Sequence, residues 1–262
     1  MLLDNSHLVV SESQSILGFQ TEWDRFLTID GKKAYNFGNV CGTCAFLFER
    51  LEGANQGIDT KAIISELNEG FSRIQVPVIN ALKLLLPNGS YKILLQTIEP
   101  HLIQPGKPGD YFYEEQVNIW GIDGFWGISH HPKTEYYRLK TLPISEISGL
   151  FEFLIPMYPK NWLSDNRITE YKSILQLEKH PTAISLSILD VKQPACWDDS
   201  MDGKITDHWC LAHNLIDGHH KVFAASQENR PITLLSFLAI DQGCSSKENV
   251  NTLLRFLNSD SA

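Results

Sequence analysis

The chain has 262 residues, 43% of them hydrophobic and 20% charged, with a formal net charge of −9. This supports a sizeable core, built as one large domain or two small ones, with the composition of an ordinary globular protein. The acidic balance argues against nucleic acid as the main partner. No apolar run is long enough to span a membrane, and the first residues lack the basic-then-apolar plan of a signal peptide, so a cytoplasmic address without a membrane partner is expected.

The first forty residues read as β-structure. Leu8-Val9-Val10 is a short apolar run, and Arg25-Phe26-Leu27-Thr28-Ile29 is a second. Asp30-Gly31 separates the latter from Ala34-Tyr35-Asn36-Phe37, which is a strong hairpin signal because a type I′ turn needs positive φ at both central residues. Cys41 and Cys44 follow, spaced to share one Zn²⁺ or to form a redox pair. Zinc needs two further ligands, and the other cysteines (Cys196, Cys210, Cys244) and the histidines are scattered. On a strand, His208 and Cys210 share a face while His213 points away. Buried thiols beside a turn are the alternative for Cys41 and Cys44; no disulfide framework is expected from five cysteines in a reducing compartment.

Residues 59–86 read as two helices. The first carries Ile63, Ile64, Leu67, Phe71 and Ile74 at helical spacing, and Pro77 suits the first turn of the second. Tyr91 to Ile98 reads as a strand, and Pro105 to Asp110 as a loop. A second Asp-Gly hairpin is expected over 117–129, with Ile119-Trp120-Gly121-Ile122 as one arm and Phe125-Trp126-Gly127-Ile128 as the other. It runs into His130-His131, where Trp120 or Trp126 would either stack on a ligand ring or simply pack. Residues 144–157 read as an apolar helix, and Asn166 to Lys179 as an amphipathic one that His180-Pro181 ends. The expected domain boundary falls here, between 1–179 and 180–262. A strand over 183–191 follows, then a polar loop with Asp198 and Asp202, and Lys247 to Asn258 closes the chain as a helix.

The most informative stretch is Leu215-Ile216-Asp217-Gly218-His219-His220-Lys221-Val222. A strand ends at Asp217-Gly218, a short helix follows to Asn229-Arg230-Pro231, and Ile232 to Ile240 forms another strand. A glycine turn opening a helix is suited to an anion. The backbone comes close to the ligand, and the first-turn N–H groups point at it from the positive end of the dipole. Two histidines and a lysine add donors, so phosphate is the natural guest.

This stretch resembles the signature of the ParB/sulfiredoxin superfamily, including its DGHHR-type relatives. There a Gly-x-His-Arg or Gly-Glu-Arg-Arg element opens a helix and holds nucleotide phosphates. Asp217, Gly218, His219, His220 and Lys221 match it, followed by Ala224-Ala225, and Ile184 to Val191 looks like the family's first strand. The resemblance covers about residues 180 to 245. Lys221 stands where the family usually has arginine, which keeps the charge but loses the bidentate fork. His219 stands where sulfiredoxins carry their catalytic cysteine, so that chemistry does not carry over.

The expected fold class is α+β, a mixed N-terminal part with hairpins and helices and a C-terminal ParB/sulfiredoxin-like unit, with one continuous sheet across both compatible with the pattern. The resemblance implies a protein that binds a nucleotide such as ATP, with Mg²⁺, or another phosphorylated small molecule, as a phosphotransferase or an ATP-hydrolysing enzyme. Gly218, His219, His220 and Lys221 would hold phosphate. His220 would also donate to it or shuttle a proton, and Asp217 would carry Mg²⁺ or act as base, with Asp190 a second candidate. A ParB-like DNA-binding or nuclease module, and a non-catalytic binding protein stabilised by metal at Cys41 and Cys44, are the alternatives.

Overall fold

The computed structural model describes residues 1–11, 17–21, 24–29, 31–39, 46–51, 60–122, 132 and 134–259. Strand β1 (Leu2–Val10) is followed by β2 (Leu17–Thr21), β3 (Asp24–Ile29), β4 (Lys32–Asn39) and β5 (Phe48–Arg50). The last four form an antiparallel sheet in chain order. The expected hairpin lies at its centre, with Ile29 opposite Lys32 and Gly31 at φ +69°. Two short helices come next, α1 (Ile64–Glu69) and α2 (Val76–Leu82), with Pro77 in the first turn of the second. Gly70 stops α1 before Phe71 and Ile74. Its φ is +88°, and a Cβ there would stand 2.1 Å from the His180 carbonyl oxygen.

The chain continues through β6 (Gly89–Ile98), β7 (His101–Ile103), α3 (Glu115–Trp120), β8 (Tyr136–Pro143) and β9 (Ser148–Ile155) to α4 (Asp165–Gln176). It ends with β10 (Thr182–Lys192), β11 (Asp207–Asp217), α5 (His219–Glu228), β12 (Ile232–Ala239) and α6 (Lys247–Ser259). The fold is α+β. No helix among the described residues is long and apolar enough to cross a membrane.

Two expectations are corrected. Residues 115–120 are helix α3, not the first arm of a hairpin; the second arm lies outside the described residues, as do Asp123, Gly124, His130 and His131. Gln116 and Ile119, three apart, are the buried positions of α3, and Gly121 at φ +73° ends it. Residues 148–155 form strand β9, not a helix. All of its positions after Ser148 are buried, because both faces of the sheet are covered there. A continuous apolar run has no period with which to tell such a strand from a buried helix.

The large sheet has eight strands in the order β1-β6-β12-β10-β11-β9-β8-β7. β10 runs parallel to β12, β11 parallel to β9, and the other pairs are antiparallel. Since β10, β11 and β12 sit between β6 and β9, a single sheet runs across residue 180. One face, carrying Ile184, Leu186, Ile188 and Phe237, packs with Leu67, Val78 and Ile79 of α1 and α2 and with Leu27, Tyr35 and Phe48 of the small sheet. The other face is covered by helices. Ala183, Leu215, Leu154 and Leu234 pack under α4 and α5, while Leu189, Leu211, Leu150 and Leu238 pack under α6.

The period of two leaves one position between those clusters on β6, β9, β11 and β12 and two on β10, and each of them is polar. Ser185 and Ser187 lie there on β10, His213 on β11, Glu152 on β9, Ser236 on β12 and Gln96 on β6, all at most 1% exposed. His213 Nε2 is 2.9 Å from Glu152 Oε1, and its Nδ1 is 2.7 Å from Ser187 Oγ and 3.2 Å from Ser236 Oγ. Gln96 Nε2 donates to the same Glu152 oxygen at 3.0 Å. β6 and β9 are four places apart in the order, about 19 Å in a flat sheet. Their side chains meet only because the sheet curls. Burial alone would raise the pKa of Glu152, but the hydrogen bond and charge of His213, with Lys140 and Gln96 adding to them, hold it below the usual value.

Breaking a buried pair strands the partner. Glu152→Ala should therefore cost about 3–5 kcal/mol in urea unfolding. Because the folded pKa of Glu152 is depressed, its contribution is complete above the unfolded value and is lost as pH falls through the folded one. Glu152→Gln should consequently show a shallower acid limb of stability than the wild type. Identical acid limbs would show that this carboxylate is not charged in the fold.

Candidate anion site

β11 ends at Asp217, and Gly218 makes the turn into α5 with φ +97°. A Cβ at 218 would lie 2.8 Å from Ala183 Cβ and 3.0 Å from Ala183 Cα. Glycine is thus required both by its left-handed backbone and by close packing on β10. The sequence suggested close approach of a ligand at this point; the neighbour in this structure is Ala183.

The three residues after it hold the surrounding chain. His219 is 6% exposed, and its Nε2 accepts the Met157 N–H at 3.0 Å while the ring lies against Tyr158. Burial, with His220 adding to it, lowers its pKa to about 3, so it is neutral. His220, half-buried, accepts the N–H of Ser164, the residue before α4, at 3.0 Å. Lys221 is 2% exposed, and its Nζ donates to the Thr182 carbonyl at 2.9 Å with Asp217 at 3.9 Å. Burial lowers its pKa to about 8, against the opposing pull of Asp217. These side chains tie α5 to the 157–164 loop and to the start of β10.

Asp190 is not brought to the turn. It lies eight residues along β10 from Thr182, roughly 26 Å by strand rise, and pairs with Lys192 at 3.1 Å. Burial raises its pKa, with Lys192 and Arg25 opposing. Cys41 and Cys44 fall outside the described residues, and among the described residues no group of three or more His, Cys, Asp or Glu could hold a metal. Cys210 faces the side of the sheet toward α1 and α2, as does His208, and His213 the other, as strand alternation requires.

A cavity of about 220 Å³ opens beside the first turn of α5. It lies where the parallel strands β9 and β11 end together, the position at which open sheets with parallel strands bind ligands. His219, Tyr158, Lys160, Arg50, Thr134 and Glu135 contribute to its wall. Arg50 is the last residue of β5, and its buried Nε has no hydrogen-bond partner among the described residues. Lys160 Nζ stands 5.3 Å from the centre of the Phe223 ring. Neither cation is paired with a carboxylate among the described residues. A wider depression of about 650 Å³ shares Glu135, Pro159, Lys160 and Leu163 and extends over Ile168, Phe223 and Gln227.

No family model matches the chain, and neither does any curated protein or solved structure. Its function has to be sought in the chemistry of the site. Arg50, Tyr158 and Lys160 were not singled out from the sequence. Arg50 stands in an ordinary charged pair after an apolar run, and only the packing of β5 near the loop after β9 gives it a role. Pro156 and Pro159 are the signal the sequence offers for that loop. The Ser187–His213–Glu152 chain has the connectivity of a hydrolase triad. Ser187 and His213 are fully buried, while Glu152 contributes to the wall of another cavity, of about 290 Å³.

Lys221 allows a test by pH. Below about pH 8 it is charged in both the folded and unfolded states, and the whole penalty of burying the charge is present. Between there and the unfolded value near ~10.4 the folded chain gives up its proton first, and folding becomes easier. Relative to Lys221→Met, the wild type should gain in melting temperature from pH 7 to pH 10. A constant difference would place the ammonium in water.

Proposed function

We propose that the chain binds a phosphate-bearing small molecule, with nucleotides as the leading class, in the cavity beside the first turn of α5. The observation that carries this is Arg50: a guanidinium with a buried, unpartnered Nε in the wall of a cavity that also receives Lys160. A buried donor left unmade costs roughly 1–3 kcal/mol, and an anion that accepts from it recovers that loss through a charge-assisted bond. The positive end of α5 adds to the potential, and its cap residue, Gly218, has no side chain to satisfy it. Among the described residues Glu135 is the one carboxylate on the wall of the inner cavity, with Asp165 in the wider depression; Glu135 is the group placed to meet a Mg²⁺ ion or to act as a base if phosphoryl transfer or hydrolysis occurs there.

The inner cavity suits an anionic head, and the wider depression gives the rest of the ligand an apolar wall at Leu163, Ile168 and Phe223 with Gln227 beside it. Phosphate binding at this turn is also what the resemblance of Asp217 to Lys221 implies. In this reading Arg50 and Lys160, rather than the buried Lys221, supply the charges that serve it. A chain of net charge −9 with two cations at a cavity fits a small ligand better than a DNA-binding surface.

Calorimetric titration with pyrophosphate, ADP and ATP, each with and without Mg²⁺, tests the proposal. Wild type should bind at least one of them, and Arg50→Gln and Lys160→Gln should each lose about 1.5–3 kcal/mol, roughly ten- to a hundredfold. No binding by wild type would end it. Loss of binding in Lys221→Met at unchanged melting temperature, with Arg50→Gln unaffected, would return the anion to the turn itself.

A further inference from the structure

At the other end of the sheet, where β9 and β11 begin, a second cavity of about 490 Å³ opens between α3 and the loop before β11. Its floor is apolar and aromatic, built from Ile119, Phe151, Ile205 and the ring of His208. The His208 ring is held at both nitrogens. Its Nδ1 is 2.8 Å from Tyr111 Oη and its Nε2 is 3.1 Å from the Ile205 carbonyl, so Nε2–H donates and Nδ1 accepts the tyrosine proton. Phe151 and Trp120 pack against the ring with centroids 4.5 and 4.8 Å away. Burial lowers the pKa of His208 to about 4, against the Ile205 hydrogen bond, so the floor stays uncharged at neutral pH.

Glu115 stands in the wall. One carboxylate oxygen pairs with Arg138, while Oε2 is closed to bulk water and has no hydrogen-bond partner among the described residues. The side chain is 28% exposed, so a modest rotation presents that oxygen to a ligand. The charge of Glu115 is already matched by Arg138, and Lys204 adds a positive group at the exposed rim. A cationic ligand would meet the lysine, and an anionic one the carboxylate. What Oε2 lacks is a donor, not a counter-charge.

We propose that this cavity is a second small-molecule site, selective for a neutral planar ring compound that carries an N–H or O–H donor for Glu115. The rings of the floor supply the stacking surface, and the unpartnered oxygen supplies the selectivity. The site is separate from the anion cavity and shares no lining residue with it.

Fluorine NMR line broadening of 5-fluoroindole titrated with the full chain provides the test, with 1-methyl-5-fluoroindole as the match that has no donor. Saturable binding of 5-fluoroindole, about tenfold tighter than its N-methyl counterpart, is expected for one charge-assisted hydrogen bond. Glu115→Gln keeps the bond to Arg138 but turns an amide N–H₂ toward the ligand, and the preference between the two probes should disappear. Ile119→Trp should fill the floor and abolish binding of both. The proposal is overturned if folded wild type shows no saturable broadening, if the two probes bind equally, or if Glu115→Gln leaves their ratio unchanged.

Discussion

Glu152 is bonded at a single oxygen by His213 from a neighbouring strand and by Gln96 from a strand four places away. A flat sheet does not allow the second bond. The polar row therefore acts as a cross-tie that fixes how far the sheet curls, and its members are buried too deeply for water to replace a missing partner. An all-leucine row would bury as much area, but it would not specify a curvature, because apolar contacts are non-directional. Hydrogen bonds at 2.7–3.2 Å from β6, β10 and β12 to one histidine–glutamate pair do specify it.

The parallel pairing of β9 with β11 decides what meets at this end of the sheet. It places the end of β9 beside the end of β11, so that the 156–163 loop and the first turn of α5 form one corner. His219 and His220 accept backbone N–H groups of that corner, and Lys221 donates to the first residue of β10. Side chains that a sequence would assign to a ligand thus serve as clasps. By holding the loop, they keep Tyr158 and Lys160 at the cavity. The anion site therefore depends on them at one remove.

The parts of this fold that were legible from sequence are those governed by local chemistry. The Asp30-Gly31 hairpin, Pro77 at a helix start, Asn229 ending α5 at φ +49° and the strand–turn–helix–strand over 207–239 all follow from backbone preferences within a few residues. Strand β9 was not legible, because burial on both faces erased its alternation. Helix α3 was hidden by glycines and an Asp-Gly pair that read as a hairpin. The roles at the turn were hidden for a different reason: the partners of His219, His220 and Lys221 lie 62, 56 and 39 residues earlier. Arg50 and Lys160 are likewise far apart in the chain, and nothing local connects them.

The anion cavity is the central claim, and a crystal of the protein soaked in tungstate examines it most directly, because the anion mimics phosphate and its position is read from anomalous scattering. The account predicts a peak in the cavity within hydrogen-bonding distance of the Arg50 guanidinium and near Lys160, with His219 still accepting from Met157. A fully occupied peak elsewhere on the chain and none in this cavity would contradict it.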